Sequence, residues 1–208
     1  MARYTGPVCR ICRRLGEKLY LKGEKCYTPR SPFERRPFAP GQRSMRRRKV
    51  SDRGLQLREK QKARASYGIL ERQFRRYYER AVRRTGISGD NLMRILELRL
   101  DNVVYRLGFA DSRAQARQLV RHGHITVNGH KSDIPSHVMK LNDVIAWTAR
   151  GAESEFYPVA QEQAKGRTLP SWLALDLEKM TGRVLAPPVP EEIGAKFDPA
   201  TIVEFYSR

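Results

Sequence analysis

The sequence predicts an α+β fold: a mostly helical part, then a small module of helices with an antiparallel sheet, all preceded by an extended, cysteine-containing basic arm. Three observations carry this. Apolar residues recur at helical spacing from about residue 53 to 107. Short strand-like runs separated by turn signals take over after residue 123, and residues 1–45 show little periodicity of either kind.

Charge sets the broad class. The chain has 208 residues and a net charge of +19, with room for one large or two small domains with real cores. Residues 1–50 hold fifteen Lys and Arg against three Asp and Glu, whereas 151–208 hold six against nine. Such a gradient lays the first half against a polyanion and turns the last quarter toward solvent or protein. Arginine outnumbers lysine in the first half, which favours bidentate phosphate contact over point charges. No apolar run approaches the ~20 residues that span a bilayer, and Met1-Ala2-Arg3-Tyr4 lacks the apolar core of a secretory signal. A membrane partner is not expected, and the location read from the sequence is cytoplasmic.

The arm, 1–45, is rich in Gly and Pro and contains Cys9, Cys12 and Cys26 in a C-x2-C-x13-C pattern. The close first pair suits a knuckle that offers two thiolates to one metal ion, zinc being the natural choice. Water, Glu24 or Glu34 could supply a fourth ligand beside the three thiolates, and three reduced cysteines without metal are the plain alternative. Arg46-Arg47-Arg48-Lys49 is a charge run that repels itself in isolation and orders on binding. The next helices are expected over 53–66 and 70–84, the second stopping at Gly86. In it Leu70, Phe74, Tyr77, Tyr78 and Ala81 form the buried face, while Arg72, Arg76, Arg80 and Arg83 lie along another. Only Glu79 is acidic between Arg72 and Arg84, which weakens the reading of a merely solvated face.

A third helix keeps Leu92, Leu96, Leu100, Val103 and Leu107 on one face, and Gly108 supplies a left-handed end. Ser112 with Gln115 makes a capping box, so a short helix begins there and ends at Gly123. Ala116, Leu119 and Val120 face inward. Arg113, Arg117 and Arg121, spaced by four, form an outward cationic stripe of the kind that meets phosphates. His122 and His124 have no carboxylate or thiol in register; His122 suits the negative end of the helix. A strand follows over 124–127, and Asn128-Gly129 marks a two-residue hairpin. Further strands are expected over 131–134, 143–147, 172–177 and 183–186, with turns at Asn142-Asp143 and Thr181-Gly182. Residues 151–165 read as a short helix or linker. No paired carboxylates, Gly-rich phosphate loop or nucleophile–base set occurs, so no enzyme and no small-molecule substrate are expected.

Several stretches resemble one family. Leu98-Arg99-Leu100-Asp101, Arg106-Leu107-Gly108, Ser112-Arg113-x-x-Ala116-Arg117, Leu119-Val120 and Gly123-His124-Ile125-x-Val127-Asn128-Gly129 are similar to the small RNA-binding module named after the fourth ribosomal protein of the bacterial small subunit. The flanks resemble the same ribosomal family: Arg3-Tyr4-x-Gly6-Pro7, Pro40-Gly41-Gln42, Leu57-Arg58-Glu59-Lys60-Gln61-Lys62, Tyr67-Gly68-Ile69-x-Glu71-Arg72-Gln73-Phe74-Arg75, and the closing Ile202-Val203-Glu204-Phe205-Tyr206-Ser207-Arg208. Arg43-Ser44 replaces the family's customary His-Gly. Some members carry a fourth cysteine five residues after the third, completing a zinc site; here Ser31 stands there.

The resemblance implies a helical domain over 46–93 completed by 197–208, with the module and an acidic extension inserted at 94–196. It implies direct, early binding to small-subunit rRNA, a nucleating role in assembly, and an effect on decoding accuracy through an interface with the fifth small-subunit protein. It also sets the arm near the mRNA entrance. RNA recognition of this kind works through shape, phosphates and 2′-hydroxyls. The residues expected on RNA are Arg3, Arg13, Arg14, Arg35, Arg36, Arg43, Arg46, Arg47, Arg48 and Lys49 in the first 50 residues. Arg58, Lys60, Lys62, Arg72, Arg76, Arg80 and Arg83 follow in the helical domain, with Arg113, Arg117, Arg121, His124 and Asn128 in the module. The rivals are an RNA-modifying enzyme, such as a pseudouridine synthase, and a ribosome-rescue RNA binder. The first needs a catalytic domain that the 58 residues after position 150 do not hold; the second leaves the flanking similarities unexplained.

Overall fold

The computed structural model describes residues 3–41 and 50–207. In chain order, α1 (Cys9–Leu15) and α2 (Pro32–Arg35) are followed by the longer α3 (Asp52–Ser66) and α4 (Glu71–Val82). Next come α5 (Ser88–Glu97), α6 (Leu100–Arg106), α7 (Arg113–Arg121) and strands β1 (Ile125–Val127), β2 (His130–Lys131) and β3 (Val144–Trp147). Helices α8 (Ala149–Ala152) and α9 (Phe156–Lys165), strands β4 (Leu173–Asp176) and β5 (Thr181–Val184), and α10 (Pro199–Ser207) complete the chain. The α+β class is as expected. Two compact units result: the chain up to Leu92 together with Ala195 onward, and Met93–Gly194.

In the first unit, α3 starts on Ser51, whose hydroxyl accepts the Gly54 N–H at 3.3 Å. On α4, Phe74, Tyr77 and Ala81 are buried, as their spacing requires. Asn91 caps the far end of α4, its amide donating to the carbonyls of Ala81, Arg84 and Thr85. The C-terminal segment is pinned as α10. Its first turn is fixed by Asp198, which accepts from the Ala200 and Thr201 N–H groups and the Thr201 hydroxyl. Ile202 is buried, Tyr206 stacks on Tyr78 with centroids 4.6 Å apart, and Gln56 of α3 donates to Glu204 at 3.0 Å. The arm, expected as extended or loop-rich, is loop-rich with α1 and α2 as short helical pieces; Cys12 and Leu19 are buried, and Lys18–Glu34 and Lys62–Glu17 ion pairs tie it down. The Arg46–Lys49 charge run lies outside the described residues.

In the second unit the sheet is antiparallel throughout, in the order β2-β1-β3-β5-β4. Its core joins Val103, Leu107 and Phe109 to Leu119, Val120, Ile125, Ile145, Trp172 and Val184. Asn128 and Gly129 both have positive φ, +50° and +80°, the type I′ geometry expected of a two-residue hairpin. Gly182 is required by packing: a Cβ there would run into the buried Leu107 side chain.

Three local expectations change. The helix expected through Leu92 to Leu107 breaks at Leu98-Arg99, where Arg99 is extended (φ −68°, ψ 137°). Residues 135–139 fill the gap, because Leu100 N–H donates to His137 O at 2.8 Å and Met139 N–H to Leu98 O at 2.7 Å. The apolar spacing survives the break, which is why it hid it. The turn between β4 and β5 lies at 177–180, before Thr181-Gly182, because the Asp176 carboxylate accepts the Glu178 and Lys179 N–H groups. Finally, residues 149–165 form two helices, α8 and α9.

A junction in the first unit generates a pH prediction. Lys60, 5% exposed, donates to Glu71 at 2.7 Å, and the Tyr206 hydroxyl donates to the same oxygen at 2.7 Å. Partial burial pushes the Glu71 carboxyl up, but the hydrogen bonds from Lys60 and Tyr206 outweigh it, so the net shift is downward. A carboxylate depressed on folding contributes stability above its unfolded pKa and loses it as pH falls through the folded value. Urea titrations between about pH 5 and pH 3 should therefore show a shallower loss of stability in Glu71→Gln than in the parent chain. Parallel acid limbs would contradict this role.

Candidate nucleic-acid interface

Each unit carries a cationic surface of its own. In the first, Arg72, Arg76, Arg80 and Arg83 are all exposed, at helical spacing along α4 and its last turn. Arg58 on α3 and Arg3, Arg14, Arg35 and Arg36 in the arm are exposed as well. Arg13 is half-buried, its Nε–H donating to the Phe38 carbonyl at 2.9 Å. Two residues expected on RNA are engaged within the fold. Lys60 is buried against Glu71 and lies 4.5 Å from the Phe205 ring centroid, so it anchors α10. Lys62 spends its charge on Glu17 and Glu59, at 2.9 and 2.8 Å. Arg43, Arg46, Arg47, Arg48 and Lys49 lie outside the described residues.

In the second unit the expected stripe on α7 divides. Arg121 is exposed; Arg117 is 6% exposed and pairs with Asp101 at 3.4 Å. Arg99, fully buried, holds the same carboxylate through two bonds, at 3.0 and 2.6 Å. Arg113 donates to Asn102 Oδ1 at 2.7 Å and approaches Glu97 at 3.8 Å. The Glu97 side chain, fully buried, accepts from Arg106 at 2.9 and 3.0 Å and from Asn102 at 2.8 Å. A buried carboxylate draws in the nearest guanidinium because an unpaired charge there costs several kcal/mol. The arginine spacing gave no sign of this, since Glu97 and Asp101 sit one helix upstream. Asp101 and Asn102 are thus used inside the fold.

Ser112 caps α7 as predicted, accepting the Gln115 N–H at 3.3 Å, but Gln115 reaches back to the N–H of Asp111. Asn128, named for RNA, has both ends of its amide occupied in the fold: it accepts from Val144 N–H and donates to Asp143, each at 2.8 Å. His124 is half-buried. Burial, and then the charges of His122, Arg150 and Lys131, hold its pKa below the usual imidazole value. Lys131 and Arg150 therefore lie near His122 and His124 and give this corner a positive field that local spacing did not reveal. The pairing of β1 with β3 creates it, placing Thr148 N–H on His124 O at 2.9 Å.

The three cysteines are free. Burial pushes the Cys12 thiol up; the Leu19 N–H opposes this, and Cys26 and Cys9 add to it. Among the described residues no three His, Cys, Asp or Glu side chains are grouped to share a metal ion. Ser31, buried at the fourth position, offers a hydroxyl where tetrahedral zinc needs a thiolate or imidazole. This donor set does not fit a closed zinc site.

Comparison with known proteins agrees with the class that this architecture defines. Residues 3–97 match the "Ribosomal protein S4/S9 N-terminal domain" model, and residues 98–145 match the "S4 domain" model. The fold is thus a ribosomal, RNA-binding one. Over all 208 residues, covering both chains completely, the sequence is 57% identical to "Small ribosomal subunit protein uS4" of Acetivibrio thermocellus and of Pelotomaculum thermopropionicum. It is 54% identical, again over full length, to "Small ribosomal subunit protein uS4A" of Alkaliphilus oremlandii. The chain belongs to the uS4 family of small ribosomal subunit proteins, which are structural and not enzymes. No helix among the described residues is long and apolar enough to cross a membrane.

The divided stripe makes a stability prediction. Asp101→Asn leaves the buried Arg99 and Arg117 without their carboxylate and should cost about 3–5 kcal/mol in chemical unfolding. Arg121→Gln should stay within about 0.5 kcal/mol of the parent. Equal effects of the two substitutions would contradict the division.

Proposed function

We propose that the chain binds small-subunit rRNA directly, through the exposed arginines of α4 in the first unit and the cationic cluster ending α7 in the second. The observation that carries this is the row Arg72, Arg76, Arg80 and Arg83, exposed residues along α4 and at its C-cap. Their reach and planarity suit phosphate oxygens. In the second unit Arg121, Lys131 and Arg150 supply the charge, while the inward arginines hold the fold. Binding of this kind, early in assembly, nucleates the subunit body, and the basic arm lies toward the mRNA entrance.

The last quarter meets protein. Its acidic groups divide as the arginines do: Asp176 builds the β4–β5 turn, and Glu192 accepts from the Ser171 N–H and hydroxyl. Exposed Glu178 and Glu191 are left to face a neighbour, the fifth small-subunit protein, and that interface bears on decoding accuracy. Acidic groups beside rRNA would repel phosphates, which favours a protein neighbour over RNA at this surface.

The test is the salt dependence of binding to purified small-subunit rRNA. Replacing Arg72, Arg76, Arg80 and Arg83 with Gln should flatten the slope of log K against log [salt] by about three, at roughly 0.7–0.9 per lost phosphate contact. Glu178→Lys should leave the slope unchanged and weaken docking of the protein neighbour. An unaltered slope in the fourfold variant would overturn the proposed rRNA contact.

A further inference from the structure

Helix α4 ends in a corner that one side chain holds. Asn91, buried in α5, donates its amide to the carbonyls of Ala81, Arg84 and Thr85 at 3.4, 3.4 and 3.1 Å. Its backbone N–H donates to the Ile87 carbonyl at 3.0 Å, and the Arg84 N–H returns to the Ala81 carbonyl at 3.2 Å. Gly86 turns the chain between the two helices with a φ of +99°. The backbones of Arg84 and Ile87 are thus fixed by bonds to the same residue.

These bonds remove what a phosphate would avoid. A helix C-terminus ordinarily turns free carbonyls and a partial negative charge outward, and here the Asn91 amide occupies them. No acidic residue occurs between Arg80 and Ile87, while Arg80, Arg83 and Arg84 are all exposed. On this corner stands Ile87, 72% exposed, the most open large apolar side chain among the described residues, with Val82 at the end of α4 49% exposed. A β-branched side chain on a pinned backbone has little conformational freedom to lose on contact. RNA suits this surface: guanidinium groups meet phosphates while an apolar side chain packs against a base that has left its stack. A protein neighbour would have to bring carboxylates to match the arginines, whereas RNA carries that charge along its whole backbone.

We infer that the Val82–Ile87 corner is an apolar contact point for an unstacked rRNA base, with Ile87 against the base and Arg83 and Arg84 on the adjoining phosphates. This rests on the rRNA-binding reading and adds Ile87 and Arg84 to it. Apolar packing should respond to side-chain size and phosphate contact to charge, so the two are separable.

The test uses the full chain and purified small-subunit rRNA. Ile87→Ala should weaken binding by about tenfold with an unchanged salt slope, and Ile87→Leu should bind like the parent. Arg84→Gln should instead flatten the slope of log K against log [salt] by roughly 0.7–0.9. A benzophenone amino acid placed at position 87 and irradiated in the assembled small subunit should cross-link to rRNA. Parent-like binding by Ile87→Ala would overturn the contact point while leaving rRNA binding by the α4 row intact. Equal loss in the Ala and Leu variants, an unaltered slope in Arg84→Gln, or cross-linking to a protein neighbour in place of rRNA would overturn it as well. If the parent chain itself fails to bind rRNA, the underlying reading falls, and the contact point with it.

Discussion

Two buried carboxylates organise the second unit. Glu97, at the end of α5, and Asp101, in the first turn of α6, gather the guanidinium groups of Arg99, Arg106, Arg113 and Arg117. The helix break at Leu98-Arg99 lets both acids point into the same layer, and α7 is drawn onto α6 by its own arginines. Such a network stabilises little against an apolar alternative, yet each member is costly to lose once the others are buried. It therefore dictates one arrangement of α5, α6 and α7. Tyr105 reinforces it, with the Arg113 and Arg167 guanidinium groups 4.8 and 4.4 Å from its ring centroid.

The consequence is a division of labour within one residue type. The arginines of the second unit fall into two sets, and position relative to Glu97 and Asp101 sorts them. Arg117 faces the acids and is structural. Arg121, one turn on, has passed them and is exposed. The acidic residues near the C-terminus obey the same rule, with Asp176 and Glu192 used inside the fold and Glu178 and Glu191 outside it.

Much of the fold was legible in the sequence. The apolar face of α4, the Ser112 cap and the Asn128-Gly129 hairpin all rest on local chemistry that a sequence displays. What stayed hidden depends on partners far along the chain. The break at Arg99 is made by residues 135–139, the inward turn of Arg117 by Asp101, and the cluster around His124 by Arg150 on the far side of a strand pairing. Lys60, read from a basic run as an RNA contact, is buried among Glu71, Phe205 and Tyr206, partners that lie outside that run. Spacing shows which residues share a face; it does not show what that face meets.

The central claim is that inward arginines hold the module while outward ones are left for RNA. Modification of the native chain with an arginine-selective dicarbonyl reagent, read residue by residue with mass spectrometry with and without small-subunit rRNA, tests it directly. The account predicts that Arg99 and Arg117 resist the reagent in both states. Arg72, Arg76, Arg80, Arg83 and Arg121 should react in the free protein and be shielded by the rRNA. Arg117 reacting freely without rRNA and becoming shielded with it would contradict the account.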